Sequence, residues 1–479
     1  MVKQTRDKRA RIRGRITKAC LTLFTFCFVF VNSQLSVLSF NYEADYDSII
    51  VHPKKQLLRS KRIGSLMYRS GVQRFQKIKD DVFVIPLDTN NRTSNKETIS
   101  QLQQSGLYDL VEPDYKFSLD QEPTDRKYVR IATHKAVIEV PGNNSEVPGN
   151  NSEAPSINSP EITNTNLSIN KVQEITPNDK GFSSQYYLRE INATKAWNTA
   201  LGNEISVGVL DTGVDANHPD LIGKVSGGIN LNDQDVKDTI GHGTSVAGII
   251  AANTNNNQGI AGIGWNTKII SMRVTDDVGQ ARVSTVVTAL DEAHKRGIKI
   301  VQLSLSTNQF SQTLKRAIEE AQSNGILIIS TGGNTGVEEI RYPAAFDGVI
   351  GVGAVGETKE LEYYSTTGDH ISLVAPGSDI YTTAIDSSYD KVTGTSFAAP
   401  QVAGAAALVW SISPNLTNNE VRDILLKSAD DLGQEGKDKE FGYGHLNIEK
   451  AVELAKGNDS PQSNPTTTNS IEIKSWIKR

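Results

Sequence analysis

Cysteine is almost absent from this chain: of 479 residues only Cys20 and Cys27 carry a thiol, and both lie in an N-terminal apolar segment. Neither sits at the end of that segment, where a lipid-attachment cysteine would be expected. Without the segment no disulfide can form, so stability must come from core size or bound metal. Positive charge is also scarce beyond the start of the chain. Residues 1–18 hold eight Lys or Arg against one Asp, so the formal net charge of −5 leaves −12 for everything after them. An acidic body excludes nucleic acid as a partner, because phosphate binding needs clustered Lys and Arg. A long apolar run is lacking as well. Residues 21–31 are apolar, but Asn32, Ser33 and Gln34 interrupt them before 36–40, and only by including that break does the stretch reach the roughly 20 residues that span a bilayer.

A basic start, an apolar middle and a polar break form the layout of a secretory signal, here residues 1–39. No A-x-A site is present, and Ser33 and Ser39 are the small residues available for cleavage. The rival reading is an uncleaved membrane anchor. Export without disulfides points to a secreted, bacterial protein, with cell-surface retention as the alternative, in which triplets such as Asn91-Arg92-Thr93 carry no glycan. Hydrophobic residues at 37% and charged residues at 22% are typical of soluble globular chains, and the length allows two or three folded units.

Residues 42–120 read as a small α+β unit, with a strand at 82–87, a helix at 96–105 and an extended segment at 107–117. Residues 121–175 form a low-complexity linker in which 140–146 repeats identically as 147–153. Such a composition buries too little apolar surface to order itself. From 176 to 456 the pattern alternates between strands and helices. The runs 205–210, 269–274, 298–305 and 326–329 are mostly apolar and of strand length, as parallel strands buried on both faces require. Helical stripes occur at Val283, Val286, Val287, Leu290 and Ala293, ending at Gly297, and at Leu314, Ile318 and Ala321, before Gly325. Thr417 and Glu420 form a capping box ahead of Val421, Ile424 and Leu425. The fold class is therefore α/β, with helices on both faces of a mostly parallel sheet. The tail 457–479 is polar until Trp476 and its basic neighbours; it reads as disordered, with contact to an anionic membrane as the alternative.

Three short motifs fall at strand ends and helix starts. Asp211 closes the strand 205–210, His242 stands between Gly241 and Gly243 at the start of a helix over 245–252, and Ser396 opens a helix over 401–410. A serine hydroxyl is a poor nucleophile at neutral pH and needs a base to take its proton. His242 has that capacity, and an aspartate on its far ring nitrogen would fix the tautomer and stabilise the imidazolium. Taken singly, each residue reads as a helix cap or an ordinary loop residue.

Together, in the order Asp, His, Ser, these motifs and most of residues 180–456 resemble the subtilisin-type serine proteases, particularly their thermitase-like branch. The resemblance implies a three-layer α/β fold and an endopeptidase acting on polypeptides through an acyl-enzyme, expected as a monomer. It also assigns Asn334, in Thr331-Gly332-Gly333-Asn334, to the oxyanion hole. Ser304, Leu305 and Ser306, together with Gly332 and Gly333, fall on substrate-binding segments, with Ser306 in place of the usual glycine. Arg341, before Tyr342-Pro343, falls at the base of the S1 pocket where a small residue is usual. There it would favour an acidic P1 side chain, unless it turns outward to pair with Glu338 or Glu339. The resemblance further implies a calcium site made of the Asp179 and Asp220 carboxylates, the Asn256 side chain and the carbonyls of Thr254, Gln258 and Ile260, an oxygen-only set suited to a hard cation.

Leu107 to Asp114 resembles the end of an inhibitory propeptide of this family, which implies that 42–120 is an intramolecular inhibitor, with an unrelated N-terminal domain as the alternative, and that self-cleavage falls near Asp120-Gln121, with Phe117 at P4. Glu122 is the nearby alternative, although Pro123 after it would hinder attack. The physiological role is either the maturation of one peptide precursor or general scavenging. A catalytically silent surface-binding protein is the contrasting class.

Overall fold

The structure, a computed structural model, describes residues 47–58, 64, 67, 72, 74–88, 92–119, 173–231 and 236–458. The signal-like segment 1–39, linker residues 121–172, the junction Asp120-Gln121-Glu122 and the tail from 459 lie outside the described residues.

The first unit contains β1 (Ser48–Pro53), β2 (Gln76–Lys79), β3 (Val82–Pro86), α1 (Arg92–Gln104), β4 (Tyr108–Pro113) and β5 (Lys116–Leu119). Strands β2, β3, β1 and β4 form an antiparallel sheet in that order. Because side chains alternate across a strand, Ile49, Val51, Phe83 and Ile85 share one core with Ile99 and Leu102 of α1. Ile50, Val82 and Val84 point the other way and join the core of the second unit.

That second unit runs β6 (Ser206–Asp211), β7 (Val225–Asn230), α2 (His242–Ala251), β8 (Lys268–Arg273), β9 (Gln280–Arg282), α3 (Val283–Lys295), β10 (Ile300–Leu303), β11 (Leu305–Ser306), α4 (Gln312–Ser323), β12 (Leu327–Thr331), β13 (Ile350–Val355), β14 (Leu373–Pro376), β15 (Ile380–Ala384), β16 (Ser388–Val392), α5 (Thr395–Ile412), α6 (Asn418–Lys427) and α7 (Ile448–Asn458). Seven strands pair in parallel in the order β14-β13-β12-β10-β6-β8-β7. One core packs α2, α5, α6 and α7 on one face, and the other packs α3 and α4 on the opposite face. These layers are the three-layer α/β arrangement expected from the sequence. Helix α5 has the length and hydropathy of a membrane span, but 89% of it is buried inside the fold, so it is a core helix.

Local signals also hold. Gly297 and Gly325 adopt left-handed φ of 67° and 84° just past α3 and α4, and Thr417 and Glu420 make the reciprocal capping box of α6. One expected strand is corrected. The run 298–305 divides, because the chain leaves the central sheet after Leu303 and β11 joins a separate antiparallel sheet, β11-β5-β9. The middle strand of that sheet comes from the first unit. Leu119 lies opposite Leu305 and Ser118 opposite Ser306 on one side, while Phe117 lies opposite Ala281 on the other.

The two units are fastened by charge as well. Glu112 accepts from Ser311 Oγ at 2.7 Å and from the Gln312 and Thr313 amides at 3.0 and 2.9 Å, at the N-terminus of α4. Asp114 accepts from the Ser284 amide at 2.9 Å and its hydroxyl at 2.6 Å, at the N-terminus of α3. Asp47 pairs with Arg282.

Candidate active site

Asp211 ends β6, the neighbour of the central strand β10, and is wholly inaccessible. Its Oδ1 accepts from the Thr212 amide at 2.7 Å, which fixes the carboxylate plane. Gly241 precedes α2 with φ 99°, and His242 follows as the first helical residue. A Cβ on Gly243 would lie 2.1 Å from Gly213 O and 3.2 Å from Asp211 Oδ1; only glycine allows the helix start to approach the strand end. His242 Nδ1 consequently lies 2.8 and 3.0 Å from the two Asp211 oxygens. An acceptor-only carboxylate there places the ring proton on Nδ1 and leaves Nε2 as the basic nitrogen.

Ser396 lies in the first turn of α5, and the adjacent Phe397 ring is 5.1 Å from the His242 ring. Ser396 Oγ donates to Ser304 O at 3.4 Å, and Ser304 Oγ donates to Ser396 O at 2.9 Å. Gln302 Nε2 donates to the same Ser304 hydroxyl at 2.7 Å. This reciprocal tie accounts for the break between β10 and β11: residue 304 turns from the sheet toward α5. Asn334 Oδ1 accepts from the Thr395 amide at 3.0 Å and hydroxyl at 2.7 Å. With its oxygen so engaged, the Asn334 amide nitrogen lies on the Gly394 side, 2.9 Å from where a Cβ of Gly394 would stand. His242, Gly279, Asn334 and Phe397 line an open cleft of about 1040 Å³, which Leu119 of β5 enters.

The segments assigned to the S1 pocket also meet. Arg341 lies against Gly333, whose added Cβ would stand 3.0 Å from Arg341 Cγ. Its side chain is 11% exposed, so it does not turn outward, although Glu339, one of the two partners expected of the outward orientation, is within ion-pair distance. Arg341 Nη2 and Nε donate to Ser306 Oγ at 2.7 and 3.1 Å, and Nη1 is 3.5 Å from Glu339 Oε2. Glu338 pairs instead with Lys439. The two departures from the family pattern, Ser306 and Arg341, are thus hydrogen-bonded to each other.

The oxygen-rich loop 254–260 is brought to Asp179 and Asp220. Asp179 accepts from the Asn255 and Asn256 amides at 2.9 and 3.1 Å. Asp220 accepts from Asn256 Nδ2, the Ile260 amide and Tyr389 OH. Burial pushes the Asp179 carboxyl upward, and the nearby charge of Asp220 adds to the rise. Among the described residues no group of three His, Cys, Asp or Glu side chains is arranged to hold a metal ion, so a cation here would rely on carbonyl and amide oxygens beside the two carboxylates. Two buried carboxylates, with ionisation of Asp179 disfavoured by burial and by the Asp220 charge, set in such a loop, fit a hard divalent cation. Thr254 Oγ1 accepts from the Gly262 amide at 3.0 Å, which fixes the loop's base.

Two contributors escaped the sequence reading. Asp238 accepts five hydrogen bonds beneath the loops that carry Asp211 and His242. His370 Nε2 lies 3.1 Å from Gly332 O, on one of the segments assigned to substrate binding. Neither stands in a motif that separates it from an ordinary loop residue.

The sequence model of the subtilase family matches residues 202–444. Over 281 residues, 58% of this chain, the protein is 37% identical to thermitase of Thermoactinomyces vulgaris, covering 99% of that protein. It is 38% identical over an equal length to a thermophilic serine proteinase of Bacillus sp. strain AK1, covering 69% of it. It is also 38% identical over 237 residues, 47% of this chain, to the major intracellular serine protease of Bacillus subtilis strain 168, covering 74% of it. With this fold and these matches, the chain belongs to the subtilase family of serine endopeptidases, in its thermitase-like branch.

Proposed function

We propose that Asp211, His242 and Ser396 are the catalytic triad of this endopeptidase, and that residues 42–120 are its own inhibitor, removed by self-cleavage after Asp120. The observation that carries the first part is the His242 Nδ1 contact to both Asp211 oxygens, with Ser396 one residue from the ring partner of His242. His242 Nε2 takes the Ser396 Oγ proton as Oγ attacks the scissile carbonyl, and Asp211 stabilises the imidazolium. The Asn334 amide and the Ser396 N–H receive the oxyanion. Collapse expels the amine, which takes the proton from His242, and water then releases the acyl group by the same route.

The inhibitory reading draws support from β5. It lies between β9 and β11 as a peptide strand added to two edges, and Phe117 is 1% exposed in an apolar pocket. With Leu119 opposite Leu305, a cut after Asp120 requires the register to continue by one residue toward Ser304. The Ser306–Arg341 pair supports an S1 pocket that selects Glu or Asp, and hence a secreted enzyme dedicated to maturing a peptide precursor with an acid at the cut site. Calcium held by Asp179, Asp220, Asn256 and the carbonyls of Thr254, Gln258 and Ile260 would stabilise the fold and take no part in proton transfer.

A fluorophosphonate should label wild type at Ser396 alone. Failure to label, or equal labelling and turnover by Ser396→Ala, would remove Ser396 from the mechanism.

A further inference from the structure

One buried carboxylate close to the reaction centre has no part in the steps above. Asp238 is 1% exposed. Its Oδ1 accepts from Thr212 Oγ1 at 2.9 Å, the Ile240 amide at 3.0 Å and the Gly241 amide at 2.8 Å. Its Oδ2 accepts from the Thr244 amide at 2.9 Å and Thr244 Oγ1 at 2.7 Å. The donors belong to the residue after Asp211, the two residues before His242 and the second residue after it. Thr212 Oγ1 in turn accepts from the Gly243 amide at 2.9 Å, so both neighbours of His242 are held through this one side chain.

The surrounding loops are packed backbone against backbone. Gly213 has φ 103°, and a Cβ there would lie 2.7 Å from Val236 O and 3.1 Å from Asp238 N. Arg273, 2% exposed, donates to Lys237 O at 2.8 Å and to Asp277 Oδ1 at 2.6 Å. It thereby ties the Asp238 loop to the segment that leads into β9. Among the described residues no cation pairs with Asp238. A buried carboxylate without a counter-ion is costly unless its lone pairs are filled by donors. Five donors converging on two oxygens meet that need, and an asparagine would turn an NH2 against some of them.

We propose that Asp238 is a positioning residue for peptide hydrolysis, a role that rests on the triad reading. It holds the start of α2, and with it the His242 imidazole, in register with Asp211, and it adds a second negative charge beside the imidazolium that forms.

The full-length chain should be compared as wild type, Asp238→Asn, Thr212→Val and Ser396→Ala, with kinetics on the processed enzyme normalised to fluorophosphonate-titrated sites. Misplacing a catalytic group by a fraction of an ångström to an ångström is expected to lower Asp238→Asn kcat about 10- to 100-fold, with KM within about twofold of wild type. The acidic limb of its kcat/KM profile should move to lower pH, because losing a neighbouring negative charge disfavours the imidazolium. Thr212→Val keeps the charge, so it should lower kcat and leave the limb in place. Normal kcat per titrated site with an unmoved limb, even in a less stable protein, overturns the proposal. If Asp238→Asn does not fold, Thr212→Val decides, and an unchanged kcat there overturns it. Activity persisting in Ser396→Ala would instead refute the triad reading.

Discussion

Replacing Arg341 by glycine should abolish selection for an acidic P1 residue. Arg341 is tucked against Gly333 with 11% of its side chain exposed, and Ser306 Oγ accepts from two of its nitrogens. A full charge pair at 4 Å and an effective dielectric of 20 is about 4 kcal/mol. That figure is an upper bound for two reasons. Glu339 already stands 3.5 Å from Nη1, and the incoming carboxylate must shed water. The net advantage of Glu over Gln at P1 is then that of a charge-assisted hydrogen bond, about 1.5 to 3 kcal/mol, or roughly 10- to 150-fold in kcat/KM. The assay is a set of matched peptides built on Phe at P4 and Leu at P2, the residues of β5, and differing only at P1 among Glu, Gln, Leu and Phe. Arg341→Gly should bring the Glu-to-Gln ratio close to unity. Glu339→Gln should raise it, because a competing anion is removed while the guanidinium keeps its Ser306 anchor. Wild type preferring Leu or Phe over Glu, or an Arg341→Gly enzyme with the wild-type ratio, would refute the electrostatic pocket.

Three further outcomes follow from other contacts. A purified Ser396→Ala precursor should stay intact by mass spectrometry under conditions in which wild type is processed; normal processing would exclude self-cleavage. Asp220→Ala should lower the melting temperature more in calcium than in chelator, because only the folded form binds the ion, and equal losses in both would remove Asp220 from the ligand set. His52, 5% exposed and 2.8 Å from Thr313 Oγ1, is pushed below the ordinary 6.5 by burial and by Arg316, against the opposing charges of Asp81, Glu112 and Asp109. A histidine depressed in this way contributes docking stability that is present above its free value and lost as pH falls toward the docked one. The two units, once cleaved apart, should therefore separate more readily below pH 6.5 than above it, and an unchanged pH dependence in His52→Gln would exclude this histidine as the cause.

Strands β6, β8, β10 and β12 were legible because both faces are covered and their runs are mostly apolar, whereas β13 and β14 were not read. β7, Val225–Asn230, was not, since two glycines and two polar residues hide it among loops. The division of 298–305 was equally hidden: Ser304 leaves the sheet for its hydrogen bonds to Ser396, a partner 92 residues away. Asp211, His242 and Ser396 stood out because glycine-flanked turns carry a local signature. Asp238 carries none, as its partners are amides and hydroxyls that any loop offers. Ser306 and Arg341 were each noticed, but their contact depends on how β11 and the loop after β12 are brought together.

The motif at Val111-Glu112-Pro113-Asp114 has a physical meaning that its letters do not disclose. Residues two apart on a strand share a face, so Glu112 and Asp114 leave β4 on one side and meet the N-termini of α4 and α3. Arg282, the residue preceding α3, makes no side-chain cap of its own; Asp114 supplies it from the other unit. Helix α4 has Ser311 as its cap, and Glu112 extends the capping to the two amides after it. Each such cap is worth about 1 kcal/mol, and the helix dipoles add a few tenths to about 1 kcal/mol more. None of these contacts involves β5 or the residues after it. A cut after Asp120 would therefore remove no cap, and the unit would stay seated with its own C-terminal strand still between β9 and β11. Cleavage and release are then separate events on this reading, with release governed by the β5 pairing and the Asp47, Glu112, Asp114 and His52 contacts and not by the scissile bond.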